Sequence, residues 1–214
     1  LFTLSYSFSN AQYRVDDYKN TVSAFSPWNG NWATTSYGCY DNELSVQSFG
    51  EDNFYFKDVY ENEVKAFSAK TGTWATAPYG AYDKNVVIQS AGGTLYFVDD
   101  YADKVFAFSD SLGSWKSIEY DCYDSEVVLM KSGSTIYFKD SYTNKVHAFS
   151  NAKSSWATAS YGAYDKNINV VKQGNALAFI DDYKDLVFAF SATQGTWASI
   201  EYGCYDSEVN VIVK

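Results

Sequence analysis

Apolar and aromatic residues in this chain gather in short runs of four to seven, bounded by Gly, Asp, Asn or Ser. No run keeps the 3.6-residue period of a helix. One stretch of four such runs is Val86–Ser90, Thr94–Asp99, Lys104–Ser109 and Ser114–Tyr120. Their richness in β-branched and aromatic residues predicts strands joined by tight turns. The set then recurs. Trp32, Trp74, Trp115, Trp156 and Trp197 are spaced 42, 41, 41 and 41 residues apart, a period that marks one supersecondary unit copied and stacked.

Labelled A to D within a unit, the strands are easy to align. Strand B reads AQYRVD, NFYFKD, TLYFVD, TIYFKD and ALAFID; strand C reads TVSAFS, EVKAFS, KVFAFS, KVHAFS and LVFAFS. Strand D starts at the Trp and ends at Tyr37, Tyr79, Tyr120, Tyr161 or Tyr202. Four antiparallel strands per ~41-residue unit is the blade of a β-propeller. The fold class expected is therefore all-β, a five-bladed propeller forming a single domain over residues 1–214. Its blades cover about 1–43, 44–85, 86–126, 127–167 and 168–208, with 209–214 as a closing strand. Both Leu1–Ser7 and Val209–Val213 align with strand A, so the ring has one A strand to spare. The expectation is that Val209–Val213 joins the first blade and locks the ring. The rival is pairing with another molecule, since a free strand edge is a template for association.

The chain resembles kelch-type propeller repeats in one spacing. A strand C ending in an aromatic residue is followed seven residues later by Trp, as in Phe25–Trp32, Phe67–Trp74, Phe108–Trp115, Phe149–Trp156 and Phe190–Trp197. It departs from them after strand B, where their Gly pair is replaced by Asp-Asp, Asp-Val or Asp-Ser. The resemblance implies a fold and no activity. Odd and even units also differ, with Cys39, Cys122 and Cys204 standing where Ala81 and Ala163 stand. That alternation reads as duplication of a two-blade unit.

Composition narrows the function classes. The net charge is −10 and aromatics make up 19%. An acidic chain repels phosphate backbones, so no nucleic-acid partner is expected. No apolar run is long enough to span a bilayer as a helix, so no membrane insertion is expected. The start at Leu1 reads as a trimmed, secreted form. An odd cysteine count argues against a disulfide scaffold, and exchange with Ala marks these thiols as small buried residues. His147 is the only histidine, and its counterparts Ser23, Lys65, Phe106 and Phe188 argue against a histidine-based catalytic triad. The repeated Trp is expected in the core, and Trp28, in a C–D turn, is expected outside it.

In a four-stranded blade the B–C and D–A loops emerge on one face, and these are the loops most alike between units. The B–C loop supplies Asp16 and Tyr18, Asp58 and Tyr60, Asp99 and Tyr101, Asp140 and Tyr142, and Asp181 and Tyr183. The D–A loop supplies Tyr40 and Asp41, Tyr82 and Asp83, Tyr123 and Asp124, Tyr164 and Asp165, and Tyr205 and Asp206. Tyrosine rings stack on sugars, carboxylates accept hydroxyl hydrogen bonds, and several weak sites gain avidity on a multivalent target. The plainer reading is that Asp stabilises turns and Tyr fills space between blades.

Three functions are weighed in this order. The first is a non-enzymatic, lectin-like binding protein for glycans. The second is a structural or docking propeller whose acidic face meets a basic protein surface. The third is a carboxylate glycosidase at the ring axis. No cofactor is expected; calcium is the one alternative, on the hard oxygens of the Asp pairs.

Overall fold

The computed structural model describes residues 11–80, 86–162, 168–203 and 209–213. Every blade expected from the repeat is present as its own antiparallel sheet. The first holds β1 (Tyr13–Asp16), β2 (Thr21–Ser26) and β3 (Asn31–Ser36). The second holds β4 (Gln47–Phe49), β5 (Asn53–Asp58), β6 (Glu63–Ser68) and β7 (Thr73–Pro78). In the third are β8 (Gln89–Ala91), β9 (Thr94–Asp99), β10 (Lys104–Ser109) and β11 (Ser114–Glu119). The fourth holds β12 (Met130–Ser132), β13 (Thr135–Asp140), β14 (Lys145–Ser150) and β15 (Ser155–Ser160). The fifth holds β16 (Val171–Gln173), β17 (Ala176–Asp181), β18 (Leu186–Ser191) and β19 (Thr196–Glu201). A single turn of 3-10 helix, Asp124–Glu126, interrupts the strands. Among the described residues no helix is long and apolar enough to cross a membrane.

Strands B, C and D form where the apolar runs place them, but strand A is shorter than expected. In the third blade only Gln89–Ala91 pairs with β9. Val86 and Ile88 instead pack on the second blade's Val64, Ala66 and Tyr79. The front of the A segment in blades 2 to 5 thus serves the contact between blades rather than a ladder.

That contact repeats. Trp74, Trp115, Trp156 and Trp197 each donate the indole N–H to a carbonyl of the preceding blade, at Ala33, Ala75, Lys116 and Ala157, over 3.1–3.3 Å. Phe56, Phe97 and Phe179 on strand B pack against the preceding blade's Val22, Val64 and Val146. At the opposite rim the last serine of strand C donates forward: Ser26 to the carbonyl of Ala69, Ser68 to Asp110, Ser109 to Asn151 and Ser150 to Ala192. All four serines are fully buried. Ser109→Ala leaves the Asn151 carbonyl unmatched, and a loss of about 1–3 kcal/mol in urea unfolding is expected.

Among the described residues the first and fifth blades show this contact on one side. Trp32 is 52% exposed, unlike its four counterparts. Val22, Val64, Val105 and Val146 are fully buried, whereas Val187 is only half-buried. Where the other blades carry Phe on strand B, the first carries exposed Arg14, with exposed Gln12 two residues earlier. A polar face of this kind suits the terminal unit of a stack. The closing strand expected at Val209–Val213 is in no sheet, and the first sheet has three described strands. Leu1–Ser7 lies outside the described residues.

Candidate functional site

The B–C turn is built by one aspartate. Asp58 Oδ1 accepts the N–H groups of Tyr60 and Glu61, and Asp99 Oδ1 those of Tyr101 and Ala102. Asp140 does the same for Tyr142 and Thr143, and Asp181 accepts from Lys184. Asp16, in the first blade, accepts from Lys19. This is the self-hydrogen-bonding for which Asp is favoured in turns. The turn then closes on Asn20, Asn62, Asp103, Asn144 and Asp185 at φ 51–55°, a left-handed conformation that Asn and Asp tolerate best.

The second oxygen reaches the neighbouring blade. Asp58 Oδ2 accepts Gly38 N–H at 2.7 Å, Asp99 that of Gly80 at 3.0 Å, Asp140 that of Asp121 at 3.0 Å and Asp181 that of Gly162 at 2.9 Å. Each donor lies in the D–A loop of the preceding blade. These bonds bring the two loop families onto one face, as the repeat implies. They also bury the four carboxylates to 2% exposure or less. Burial alone would raise the Asp140 carboxyl, but the N–H groups of Asp121, Thr143 and Tyr142 outweigh it and hold that carboxyl below its ordinary range. Asp58, Asp99, Asp140 and Asp181 are therefore staples between blades, with both oxygens engaged by backbone.

The tyrosines divide into two sets. Tyr37, Tyr79, Tyr120 and Tyr161 are buried. Tyr37 donates to Asp41 at 2.9 Å and Tyr120 to Asp124 at 3.0 Å. Burial, with these carboxylates beside them, pushes both phenols well up. Tyr18, Tyr60, Tyr101, Tyr142 and Tyr183 are 59–97% exposed, and Tyr40 and Tyr123 are exposed with them. A side chain on Gly80 or Gly162 would collide with the Tyr101 or Tyr183 ring at 2.6 and 2.3 Å. Those rings therefore rest on the glycine of the preceding D–A loop, which explains the Gly at that position.

The face thus presents a row of supported aromatic rings, with Asp41 and Asp124 exposed beside Tyr40 and Tyr123. Tyr82, Asp83, Tyr164, Asp165, Tyr205 and Asp206 lie outside the described residues. Among the described residues no group of three or more His, Cys, Asp or Glu converges. Cys39 and Cys122 are buried free thiols, raised by burial and by Asp58 and Asp140 nearby, Cys122 to about 11. Such thiols are poor nucleophiles and poor metal ligands at neutral pH.

The opposite face holds what a search for repeated residues passes over. A cavity of about 460 Å³ opens among the A–B and C–D turns, lined by Trp28, Asp52, Asn53, Lys70, Asp110 and Asn151 among others.

No family profile and no curated protein matches the chain. Solved structures similar to it include virginiamycin B lyase from Staphylococcus aureus, 13% identical over 91% of this chain and 67% of that one, with a TM-score of 0.34. Another is a luciferin-regenerating enzyme, 12% identical over 90% and 73%, at 0.30. A 6-phosphogluconolactonase from Bacteroides fragilis is 12% identical over 85% and 64%, at 0.33. The chain spans about two thirds of the length of these proteins. At such identities nothing of their activity transfers, and the class defined by the five stacked sheets is the β-propeller.

Proposed function

We propose that this propeller is a non-enzymatic, multivalent binding protein that takes carbohydrate on its B–C/D–A face. One observation carries the reading: all five B–C tyrosines project to solvent from the same place in successive blades. A ring that fills space between blades is buried, as Tyr37, Tyr79, Tyr120 and Tyr161 are. The exposed rings are large, stiff and polar-tipped, suited to stacking on a sugar face while the hydroxyl bonds. The binding groups are the tyrosines Tyr18, Tyr60, Tyr101, Tyr142 and Tyr183, with Tyr40, Asp41, Tyr123 and Asp124 from the D–A loops. The stapling aspartates hold these groups in place and do not touch ligand.

A glycan-array screen of the purified chain, with and without calcium, tests this. Binding is expected without calcium, because the stapling carboxylates already accept backbone N–H groups. The triple variant Tyr60→Ala, Tyr101→Ala, Tyr142→Ala should lose about a hundredfold or more in apparent affinity for a polymeric glycan. A silent array from the folded wild-type chain sinks the reading and favours docking of a basic protein.

A further inference from the structure

We infer that the glycan taken by the B–C/D–A face is cationic, a chain of hexosamine units with free, protonated amines, an inference that rests on the carbohydrate reading of that face. Charge is divided unevenly between the two faces. The stapling aspartates are spent on backbone N–H groups. Without them, the B–C loops hold Asp17, Glu61, Asp100, Asp103, Asp182 and Asp185 against Lys19 and Lys184, and all of these are exposed. The described D–A loops add exposed Asp41, Glu43, Asp121, Asp124 and Glu126. In sequence, Lys84 and Lys166 offset Asp83 and Asp165 in the loops of the even blades. The A–B and C–D turns of the opposite face carry Glu51, Asp52 and Asp110 against Lys70 and Lys153, close to balance. The tyrosine face therefore carries the excess of negative charge.

The carboxylates also stand beside the rings. A Cβ on Gly38 would meet Tyr60 Cδ1 at 3.0 Å and Glu61 Oε1 at 2.7 Å. One glycine thus carries an exposed ring and an exposed carboxylate together. Tyr40, two residues on, is exposed next to Asp41, and Glu43 Oε2 accepts its N–H at 3.4 Å. Two rings and three carboxylates share this corner between the first and second blades.

That pairing selects the ligand by charge. A cation is drawn by the carboxylates and by the negative face of each ring. An anionic glycan meets the same field with the wrong sign. A neutral glycan gains the stacking alone. A hexosamine with a free amine gains both, since its ring covers a tyrosine while the ammonium it bears reaches the adjacent carboxylate. An amine on every unit repeats the charge along the glycan as the tyrosines repeat from blade to blade, which multiplies a weak preference.

Calorimetric titration of the intact chain with the glucosamine hexasaccharide, and with its fully N-acetylated counterpart, tests the inference. At about pH 6 exposed carboxylates are ionised and the free amines carry protons. The free-amine oligomer is expected to bind at least about tenfold tighter at low ionic strength. At about 0.5 M salt the advantage should shrink to about twofold. Glu43→Gln, Glu61→Gln and Glu126→Gln together, exposed and isosteric, should cut it about threefold. The triple tyrosine variant should weaken both oligomers. Equal affinity for the two oligomers, or an advantage that ignores salt or survives the glutamine variant, overturns the inference and leaves the carbohydrate reading standing. If neither oligomer nor any glycan on the array binds, both fail. Hexalysine bound as tightly as the free-amine oligomer, or that oligomer bound as well after loss of the tyrosines, overturns the inference in favour of a basic protein held by charge alone.

Discussion

Asp99→Ala is expected to lower the unfolding free energy by about 3–5 kcal/mol, because three backbone N–H groups lose their acceptor and each buried donor left unpaired costs about 1–3 kcal/mol. The carboxylate is 2% exposed and accepts three backbone N–H groups: Gly80 on one oxygen, Tyr101 and Ala102 on the other. Alanine leaves all three donors without their acceptor, two in the turn and one in the preceding blade. It therefore loosens a turn and an inter-blade contact at once. Asp99→Asn should cost less, because the amide oxygen still accepts on one side while its NH₂ opposes an N–H on the other. Tyr101→Ala, two residues away and exposed, should cost under about 1 kcal/mol. Urea titration of the three variants decides the matter. If Asp99→Ala proves as mild as Tyr101→Ala, the aspartate is not a staple, and its place among ligand-binding groups reopens.

That contrast shows what the repeat could and could not disclose. Strands B and C were legible because their runs are nearly continuous and bounded by turn residues: Thr94–Asp99 and Lys104–Ser109 form as expected. Strand A was only half legible, because Val86 and Ile88 are as apolar as ladder residues yet pack across to the neighbouring blade. Asp-x-Tyr was legible as a repeated pair, but not as a pair with divided roles. A turn-stapling carboxylate and a ligand-binding one are the same residue in a sequence; only burial separates them. Comparison between blades also discards unique positions. Asp110 and Asn151 are such positions, a polar pair where the other blades carry Pro27, Ala69 and Ala192. Gln12 and Arg14 likewise stand in strand B where the other blades carry apolar residues.

The sole histidine gives the chain an acid sensitivity that one substitution should remove. His147 is 4% exposed and stacks on Phe138 at 4.8 Å, as Phe106 stacks on Phe97 at 4.9 Å and Phe188 on Phe179 at 4.7 Å. Nδ1 meets Thr158 Oγ1 at 2.9 Å, while Nε2 has no partner among the described residues. Burial lowers the ring from its ordinary 6.5 to about 4; Asp140 and Asp121 oppose the shift and Lys145 adds to it. The folded state thus prefers the neutral ring. Above pH 6.5 both states are neutral and the group contributes no pH dependence. As pH falls from 6.5 toward 4 the unfolded chain takes up the proton first, and stability drops by about 3 kcal/mol over that window. His147→Phe reproduces the ring stack of the third and fifth blades and carries no proton. Its stability should match the parent at pH 7.5 and exceed it by about 2 kcal/mol at pH 5. The Asp140 carboxyl, held below its ordinary range, loses its contribution only at lower pH, so the two groups separate in a titration. Urea midpoints from pH 8 to 4 read the difference. Parallel profiles for parent and variant would show that the buried ring is not what couples this fold to acid.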